Sequence, residues 1–191
     1  MEVSNGWLIP FLETERLVLR PMTEEDAEQV VKWRNSRHIS EMTFQASGVL
    51  FTVEKHLDWF RSTRSSRLDY IIEIKNSSNP IGSLSFSFVD LKRLGVCGEI
   101  GKYIGEEECL GKGYASEAVS RWIDYGFYDM GLECVVSRTR ANNLANIRVN
   151  KKLGFSVRPW PEEFGSVTEE WCFMCLTRED WVGGSKGDIR G

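Results

Sequence analysis

The segment "CLGKGYASEAVSRWIDYGF", residues 109–127, decides which fold the rest of the chain can adopt. Gly111 and Gly113 flank a lysine and lead directly into residues with helical apolar spacing. A helix leaves its first backbone N–H groups without intrahelical acceptors, and its dipole favours an anion at that end. The segment therefore predicts either a phosphate-binding loop or a tight turn that needs glycine only for positive φ.

Periodic patterns surround this segment with strands and helices. Alternating or short continuous apolar runs predict strands over 16–22, 69–75, 81–90, 99–104, 133–139, 155–160 and 168–177. Apolar residues at helical spacing predict helices over 23–36, 52–63, 113–130 and 142–153. The predicted order is β-α-α-β-β-β-α-β-α-β-β, without an internal repeat or a second domain. A chain of 191 residues can bury one full core in this arrangement.

The helix predictions include ends and buried faces. Thr23 is the expected N-cap of the first helix, and Gly131 is expected to end the long one. The residues expected to face the core are Ala27, Val30 and Val31, then Val53, Leu57 and Phe60, and in the long helix Ala118, Val119, Trp122, Ile123 and Phe127. Each helix therefore has one apolar side for packing.

Composition makes several classes of function unfavourable. A net charge of -4 argues against a general nucleic-acid binder. The opening "MEVSNGWLIP" has neither the basic segment nor the apolar run of a leader, and no stretch approaches the length of a membrane span. We therefore expect a cytoplasmic protein with no nucleic-acid partner and no membrane partner.

The cysteines predict neither a metal site nor a redox motif. The five of them, Cys97, Cys109, Cys134, Cys172 and Cys175, do not form two metal-type pairs. Cys172 and Cys175 have C-x-x-C spacing, but they lie in a predicted strand, where an odd offset places them on opposite faces. We expect core thiols and no bound metal.

Four motifs, in this order, resemble the GNAT superfamily of acetyl-CoA-dependent N-acetyltransferases. They are "ETERLVLRPMTEEDA" (13–27), "EIGKYI" (99–104), "LGKGYASEA" (110–118) and "ANNLANIRVNKKLGF" (141–155). The resemblance covers residues 13–178, which makes 1–12 an N-terminal extension and 179–191 a flexible C-terminal tail. It implies an α/β GNAT fold, a single mixed and mostly antiparallel sheet with splayed central parallel strands and helices on both faces.

The resemblance also implies a binding site for acetyl-CoA. In the family the loop before the long helix receives the CoA pyrophosphate, and it corresponds here to Leu110, Gly111, Lys112, Gly113, Tyr114 and Ala115. Leu110 departs from the usual arginine or glutamine, so that one side-chain contact is missing, while Lys112 can add charge. Tyr103 and Ile104 are the implied partners of the pantetheine arm. Asn143 is an implied cofactor contact, with a helix N-cap as its alternative or additional role.

Acetyl transfer to an amine requires a general base and is helped by an acid for the leaving thiolate, and this chain has a candidate only for the base. An ammonium has no lone pair, so a general base must remove its proton. Glu99, on the predicted central strand, is the expected base, with a structural ion pair as the alternative. Many relatives have a Tyr or a Ser as the acid for the leaving thiolate, where this chain has Asn150 and Asn146. An amide can donate a hydrogen bond but not a proton, which predicts water as the acid, no acid, or weak catalysis.

Six residues are candidates for binding the acceptor: Trp33, Arg34, Arg37, His38, His56 and Trp59. A W-R-N sequence followed by an H-L-x-W helix resembles acetyltransferases that act on nucleotide-linked amino sugars. In that interpretation the arginines contact an anionic nucleotide diphosphate, and the tryptophans stack on a base or sugar. Core packing between helices is the alternative for both tryptophans.

We therefore expect direct acetyl transfer, in a ternary complex, from acetyl-CoA to the primary amine of a small molecule such as a nucleotide-linked amino sugar. Two alternatives stay open. One is acetylation of protein N-termini, as in the ribosomal-protein branch that the opening motif resembles, and the other is a CoA-binding member with weak catalysis. The partner is then a small-molecule or peptide amine, and the sequence leaves homodimer formation open.

Overall fold

The structure is a computed structural model and describes residues 3–4, 7–42, 50–166 and 170–184. The helices are α1 (Ala27–Asn35), α2 (Arg37–Ser40), α3 (Val53–Thr63), α4 (Tyr114–Asp124), α5 (Leu144–Lys152) and α6 (Arg178–Gly184). Single turns of 3-10 helix lie at Glu24–Asp26, Glu107–Cys109 and Glu162–Phe164, and a π-helical turn at Tyr125–Asp129 extends α4.

Ten strands form one large sheet and one small one. They are β1 (Val3–Ser4), β2 (Trp7–Leu8), β3 (Leu12–Glu13), β4 (Leu17–Pro21), β5 (Arg67–Ile74), β6 (Asn79–Leu91), β7 (Gly95–Ile104), β8 (Cys134–Arg140), β9 (Ser156–Arg158) and β10 (Trp171–Thr177). The large sheet has the order β3-β4-β5-β6-β7-β8-β10-β9. Strands β7 and β8 are parallel, and the register runs from Cys97 with Cys134 to Glu99 with Val136. The predicted class, a mixed and mostly antiparallel sheet with a central parallel pair, is confirmed.

The contacts divide the chain into two compact units, residues 1–87 with 100–122 and residues 88–99 with 123–191. The first unit has a core of Met22, Val30, Trp33, Phe60 and Ile71. In the same unit the Trp122 indole packs against the rings of Tyr70 and Phe86, at 4.6 and 4.7 Å between centroids. Aromatic packing of this kind fixes α4 on strands β5 and β6.

The second unit has a core of Leu91, Cys97, Cys134, Val136, Phe173 and Cys175. Cys97 and Cys134 are partners across the parallel register, 4.7 Å apart at Cα, and their sulfurs form a disulfide. The prediction of five core thiols was wrong for this pair, because the register sets the two side chains directly opposite each other. Cys175 is a buried thiol and Cys172 is half-buried, in keeping with their odd offset on β10.

Two predicted helix faces differ by one residue from those observed. On α1 the buried residue is Trp33 and not Val31, because position 33 lies one turn from Val30 on the core side. On α3 it is His56 that is buried, whereas Leu57 is half-buried. Thr23 caps the first turn, through a capping box with Asp26, as predicted. The predicted inner face of the long helix is confirmed at Ala118, Val119, Trp122, Ile123 and Phe127.

Helix α6 begins at Arg178, where the sequence analysis placed the end of the folded domain. Arg178 donates two hydrogen bonds to the Leu132 carbonyl, and the buried Trp181 donates from Nε1 to Asp124 at 2.8 Å. These contacts hold the first part of the predicted tail, and 185–191 lie outside the described residues. Within the described part of the chain, no helix combines the length and apolar character of a membrane span.

Candidate active site

The glycine loop, residues 110–113, leads into α4 in the conformation that the sequence predicts. Gly111 and Gly113 have φ of +74° and +83°, a region that side chains with a Cβ rarely adopt. A Cβ on Gly111 would project into open space. Among the described residues, the N–H groups of Gly111, Lys112 and Gly113 have no hydrogen-bond acceptor. The loop and the first turn of α4, with Tyr114 and Ala115, therefore present unused donors at the positive end of a helix dipole.

Arg16, the residue just before strand β4, anchors this loop. Its guanidinium donates to Glu117 at 2.6 Å and to the Lys112 carbonyl at 3.0 Å, and it lies 4.5 Å from the Tyr114 ring centroid. Glu117 also accepts from Thr14 Oγ1 and from the Arg16 backbone N–H. Burial alone would raise the pKa of Glu117, but these hydrogen bonds outweigh it and lower the pKa. Sequence analysis did not assign Arg16, although it supplies a cation to a loop that has Leu110 in place of arginine.

The three other residues that the resemblance assigned to the cofactor have defined contacts of their own. Tyr103 and Ile104 end strand β7, and burial raises the pKa of Tyr103 to about 12, so that its hydroxyl stays protonated. The Ile104 carbonyl lies 3.3 Å from His38 Nε2. Asn143 caps α5, because its side chain accepts from the Asn146 N–H at 3.1 Å. The N-cap role of Asn143 is thus shown, and its contact with CoA stays a prediction.

A group of polar residues covers one face of the sheet in the first unit. We call Arg34, Arg67, Asp69, Ser85 and Tyr103 the arginine cluster. Arg67 and Asp69 alternate with buried apolar residues on β5, and the register pairs Asp69 with Ser85 on β6. On the next strand a Cβ at Gly101 would overlap Ser85 Oγ, so glycine there gives Ser85 and Arg67 room to meet. The cluster therefore combines side chains from α1, β5, β6 and β7.

Arg67 is fully engaged within the arginine cluster. Its Nε donates to both Asp69 oxygens at 2.9 and 3.0 Å, and its two terminal nitrogens donate to Ser85 and Ser87 at 2.6 Å each. Burial raises the pKa of Asp69, and the Arg67 charge opposes that rise. The Arg67–Asp69 pair is thus a structural ion pair whose charges compensate each other.

Arg34, in contrast to Arg67, lies against aromatic rings instead of hydrogen-bond acceptors. Its guanidinium carbon lies 3.7 Å from the Phe51 ring centroid and 5.6 Å from that of Trp59. Among the described residues it has neither a hydrogen-bond acceptor nor an ion-pair partner. Burial lowers the pKa of Arg34, although an arginine remains charged at neutral pH. The sequence analysis named Arg34, Trp59 and His56 as candidates, and the structure brings all three together.

The remaining acceptor candidates do not join this group. Trp33 is 1% exposed, and its Nε1 donates to Glu106 at 2.7 Å, which is the core-packing role left open above. The Arg37 side chain is 89% exposed and pairs with Glu41 one turn away. His38 lies near Glu107, with 3.3 Å between Nδ1 and the carboxylate.

The three catalytic candidates lie in the second unit and are engaged there. Both Glu99 oxygens accept from Arg138, at 2.6 and 2.8 Å, which is the ion pair considered as an alternative. Asn150 is fully buried and donates to Ser137 at 3.1 Å. Asn146 donates to Thr139 at 3.0 Å. Within the described residues no group of three metal-ligating side chains is arranged for a metal ion.

Arg67, Asp69 and Ser85 are the members of the arginine cluster that sequence analysis missed. Their signal was present in the alternation "RLDY" on β5 and "SLSFS" on β6, which sets the polar residues on one strand face. The sequence analysis assigned that face no function. The structure shows instead that Ser83 and Ser85 are buried.

The glycine loop, the order of the elements and the parallel central pair place the chain among the mixed α/β acetyltransferases. A family model described as "Acetyltransferase (GNAT) domain" matches residues 16–156. The chain belongs to this family, the GNAT acetyltransferases.

Individual relatives agree with this assignment. The uncharacterized N-acetyltransferase p20 of Bacillus licheniformis is 29% identical over 181 residues, which cover 88% of this chain and 97% of that protein. The spermidine N-acetyltransferase of Vibrio cholerae, solved with CoA and spermine, superposes with a TM-score of 0.73 at 18% identity, over 88% of this chain and 99% of that one. Apo FdhC, a nucleotide-linked sugar GNAT, gives 0.72 at 18% identity, over 93% and 95%. At these identities the two structures establish a shared fold.

Proposed function

We propose that the protein transfers an acetyl group directly from acetyl-CoA to the primary amine of a small molecule. The observation that carries this proposal is the glycine loop, in which the N–H groups of Gly111, Lys112 and Gly113 have no acceptor among the described residues at the start of α4. A pyrophosphate satisfies such donors and the helix dipole together. Lys112 and Arg16 add positive charge around the same loop. Bound acetyl-CoA supplies the acetyl group as a thioester, and the Vibrio cholerae relative was solved with CoA.

The remaining cofactor residues extend this site. We assign the pantetheine arm to the backbone of Tyr103 and Ile104 at the end of β7, where an added chain can pair as a strand does. Asn143, at the start of α5, is assigned a contact to the same arm through its amide nitrogen, because its oxygen already accepts from Asn146.

For the chemical step we assign proton removal from the acceptor ammonium to Glu99. The free amine then forms a bond to the thioester carbonyl carbon, the carbon–sulfur bond breaks, and the sulfur leaves as thiolate, while the nitrogen passes its second proton to water as the neutral amide forms. Arg138 donates one hydrogen bond to each Glu99 oxygen, so the proton is taken up on a remaining lone pair of the carboxylate, directly or through a water. Asn146 and Asn150 serve as polar neighbours and not as acids, since amides cannot protonate a thiolate.

For the acceptor we propose an amine linked to a nucleotide, such as a nucleotide-linked amino sugar. The supporting observation is Arg34, a cation against Phe51 and Trp59 with neither hydrogen bond nor ion pair among the described residues. FdhC, which shares the fold, is a nucleotide-linked sugar GNAT. Arg37 is not part of this proposal, because its guanidinium pairs with Glu41 on the surface.

The first test is acetyl transfer measured by mass spectrometry on a panel of amines. The panel contains amino-sugar nucleotides, polyamines, aminoglycosides and peptides with free N-termini. An added acetyl group on an amino-sugar nucleotide is the expected result, whereas a product only on peptides would establish the alternative of protein N-terminal acetylation. Binding of acetyl-CoA without any product would support the alternative of a weakly catalytic CoA-binding protein.

The second test addresses Glu99. Glu99→Gln is expected to lower the rate about 10- to 100-fold at low pH, where deprotonation of the amine limits the reaction. Glu73→Gln is the matched control, because Glu73 also pairs with an arginine and its side chain is likewise 15% exposed. An unchanged rate for Glu99→Gln across the pH range would leave Glu99 with a structural role only.

A further inference from the structure

Two groups with unused hydrogen-bonding capacity lie close together in the first unit, the half-buried Arg34 and the buried His56. Arg34 has no acceptor among the described residues, and His56 is 1% exposed with no partner for Nδ1 in the same part of the chain. Both side chains contact Trp59, whose ring centroid is 5.6 Å from the His56 ring and 5.6 Å from the Arg34 guanidinium carbon. A buried polar atom such as His56 Nδ1 normally has a partner, and the half-buried Arg34 guanidinium beside it is open to one, so the two groups together point to a ligand.

Asn35, the neighbour of Arg34 on α1, helps to fix the position of Arg34 before any ligand binds. The Asn35 side chain donates to the Phe51 carbonyl and accepts from the Phe51 N–H, at 2.9 Å in both cases. This two-point contact holds the ring on which Arg34 stacks. The guanidinium is therefore supported on its faces by aromatic rings, while its N–H groups, which lie in the guanidinium plane, remain available.

The charges around Arg34 leave it without a counter-ion. Asp69 is the acidic group that acts on it, but Arg67 already holds both Asp69 oxygens. Tyr103 is neutral because its pKa is raised to about 12 by burial. Within the part of the chain that the structure describes, one positive charge therefore remains uncompensated at Arg34.

We propose that Arg34 and His56 form a subsite for an anionic group, a phosphate or a carboxylate, carried by the acceptor. The guanidinium pairs with the anion through two parallel N–H bonds, and the imidazole donates a further hydrogen bond from Nδ1. Trp59 forms an aromatic wall beside both groups. This inference rests on the proposed function for its acceptor and assigns the residues that hold the negative charge of that acceptor.

The test measures anion binding without relying on catalysis. The protein is first saturated with CoA, so that the glycine loop cannot take up the added anion. Inorganic pyrophosphate and, separately, acetate are then titrated calorimetrically. We expect one binding event, weakened about 10- to 100-fold by Arg34→Gln and weakened to a smaller extent by His56→Phe. Arg37→Gln is the matched control and is expected to bind as the unaltered protein does, because its guanidinium pairs with Glu41 on the surface.

The titrations also identify the anion and can overturn the proposal. Tighter pyrophosphate binding assigns the subsite to phosphate, and tighter acetate binding assigns it to carboxylate. Equal binding by the unaltered protein and Arg34→Gln, or no binding event with CoA present, would overturn the subsite. Thermal unfolding of Arg34→Gln within a few degrees of the unaltered protein shows that the variant is folded. If CoA itself does not bind, the proposed function fails, and the titrations without CoA still test the subsite.

Discussion

The glycine loop and the arginine cluster both lie in the first unit, but they differ in the groups that they present to a ligand. The loop offers backbone N–H groups, and its conformation depends on positive φ at Gly111 and Gly113. The cluster offers side chains from α1, β5, β6 and β7, and its geometry depends on hydrogen bonds such as those of Arg67 with Ser85 and Asp69. A backbone site tolerates changes of side chain that a side-chain site cannot.

The two regions also differ in which cations are engaged. Beside the loop, Arg16 is tied to Glu117 and to the Lys112 carbonyl. In the cluster, Arg67 is tied to Asp69, whereas Arg34 only stacks on aromatic rings. An engaged arginine supports the structure around it, and an unengaged, half-buried arginine is available to a ligand. The comparison assigns a structural role to Arg16 and Arg67 and a recognition role to Arg34.

The largest expected effect comes from changing the loop backbone. Gly113→Glu should weaken acetyl-CoA binding at least about 100-fold, because a Cβ at φ of +83° strains the loop and the new carboxylate repels the pyrophosphate. The measurement is the rise in melting temperature at about 1 mM acetyl-CoA. Gly165→Glu is the control, since Gly165 also has a positive φ, of +72°, and a Cβ there would meet no atom within 4 Å, whereas a Cβ at Gly113 would contact the end of the Arg16 side chain. An unchanged rise in Gly113→Glu would show that the loop is only a turn.

The next largest effect is a difference in the free energy of unfolding between variants of the two arginines of the cluster. Arg67→Gln leaves the Asp69 carboxylate, whose side chain is 6% exposed, without its cation and should destabilise the fold by about 3 kcal/mol. Arg34→Gln removes a cation that forms no hydrogen bond within the described residues, so the change should stay within about 0.5 kcal/mol. Urea unfolding of both variants measures the difference. Equal losses would mean that Arg34 is as structural as Arg67.

The same contrast explains what the sequence could predict. The loop, the caps at Thr23 and Asn143, and the inner face of α4 depend on residues within one or two turns of each other, and all were predicted correctly. The disulfide of Cys97 with Cys134 depends on which strands pair and in which register. Strand register joins residues distant in sequence, and neither spacing nor composition determines it.

The same limit applies to the candidate site, where the sequence could name single residues but not their contacts. Sequence analysis named Arg34, His56 and Trp59 one by one, but it also named Arg37, which has the same charge and lies only three residues from Arg34. What distinguishes them is the partner: Arg34 stacks on Phe51, and Arg37 pairs with Glu41 on the surface. Such partners come from other elements or from the local helix geometry, so charge and spacing alone could not separate the two arginines.

A smaller effect is expected where a side chain supports the backbone site. Arg16→Ala should weaken acetyl-CoA binding about 5- to 10-fold, because the Lys112 carbonyl and Glu117 lose their shared donor. Arg61→Ala removes a comparable arginine–glutamate pair, with Glu24, and should leave binding unchanged. Calorimetric titration with acetyl-CoA compares the two variants. A loss in Arg16→Ala as large as that in Gly113→Glu would mean that the cofactor contacts Arg16 directly.

The smallest effect concerns Lys102, a cation on β7 next to Tyr103 whose pKa is lowered by burial to about 7. Between pH 7 and 10 the unfolded chain therefore binds a proton that the folded protein does not, so this group makes stability rise with pH. Below pH 7 both states are protonated, and the burial cost of the charge is constant. Lys102→Met removes this cost and should flatten the rise. Urea unfolding at pH 7 and 9.5 measures the change in slope, with Lys75→Met, at a surface pair with Glu13, as the control. An equal slope in both variants would show that Lys102 is as well hydrated as Lys75.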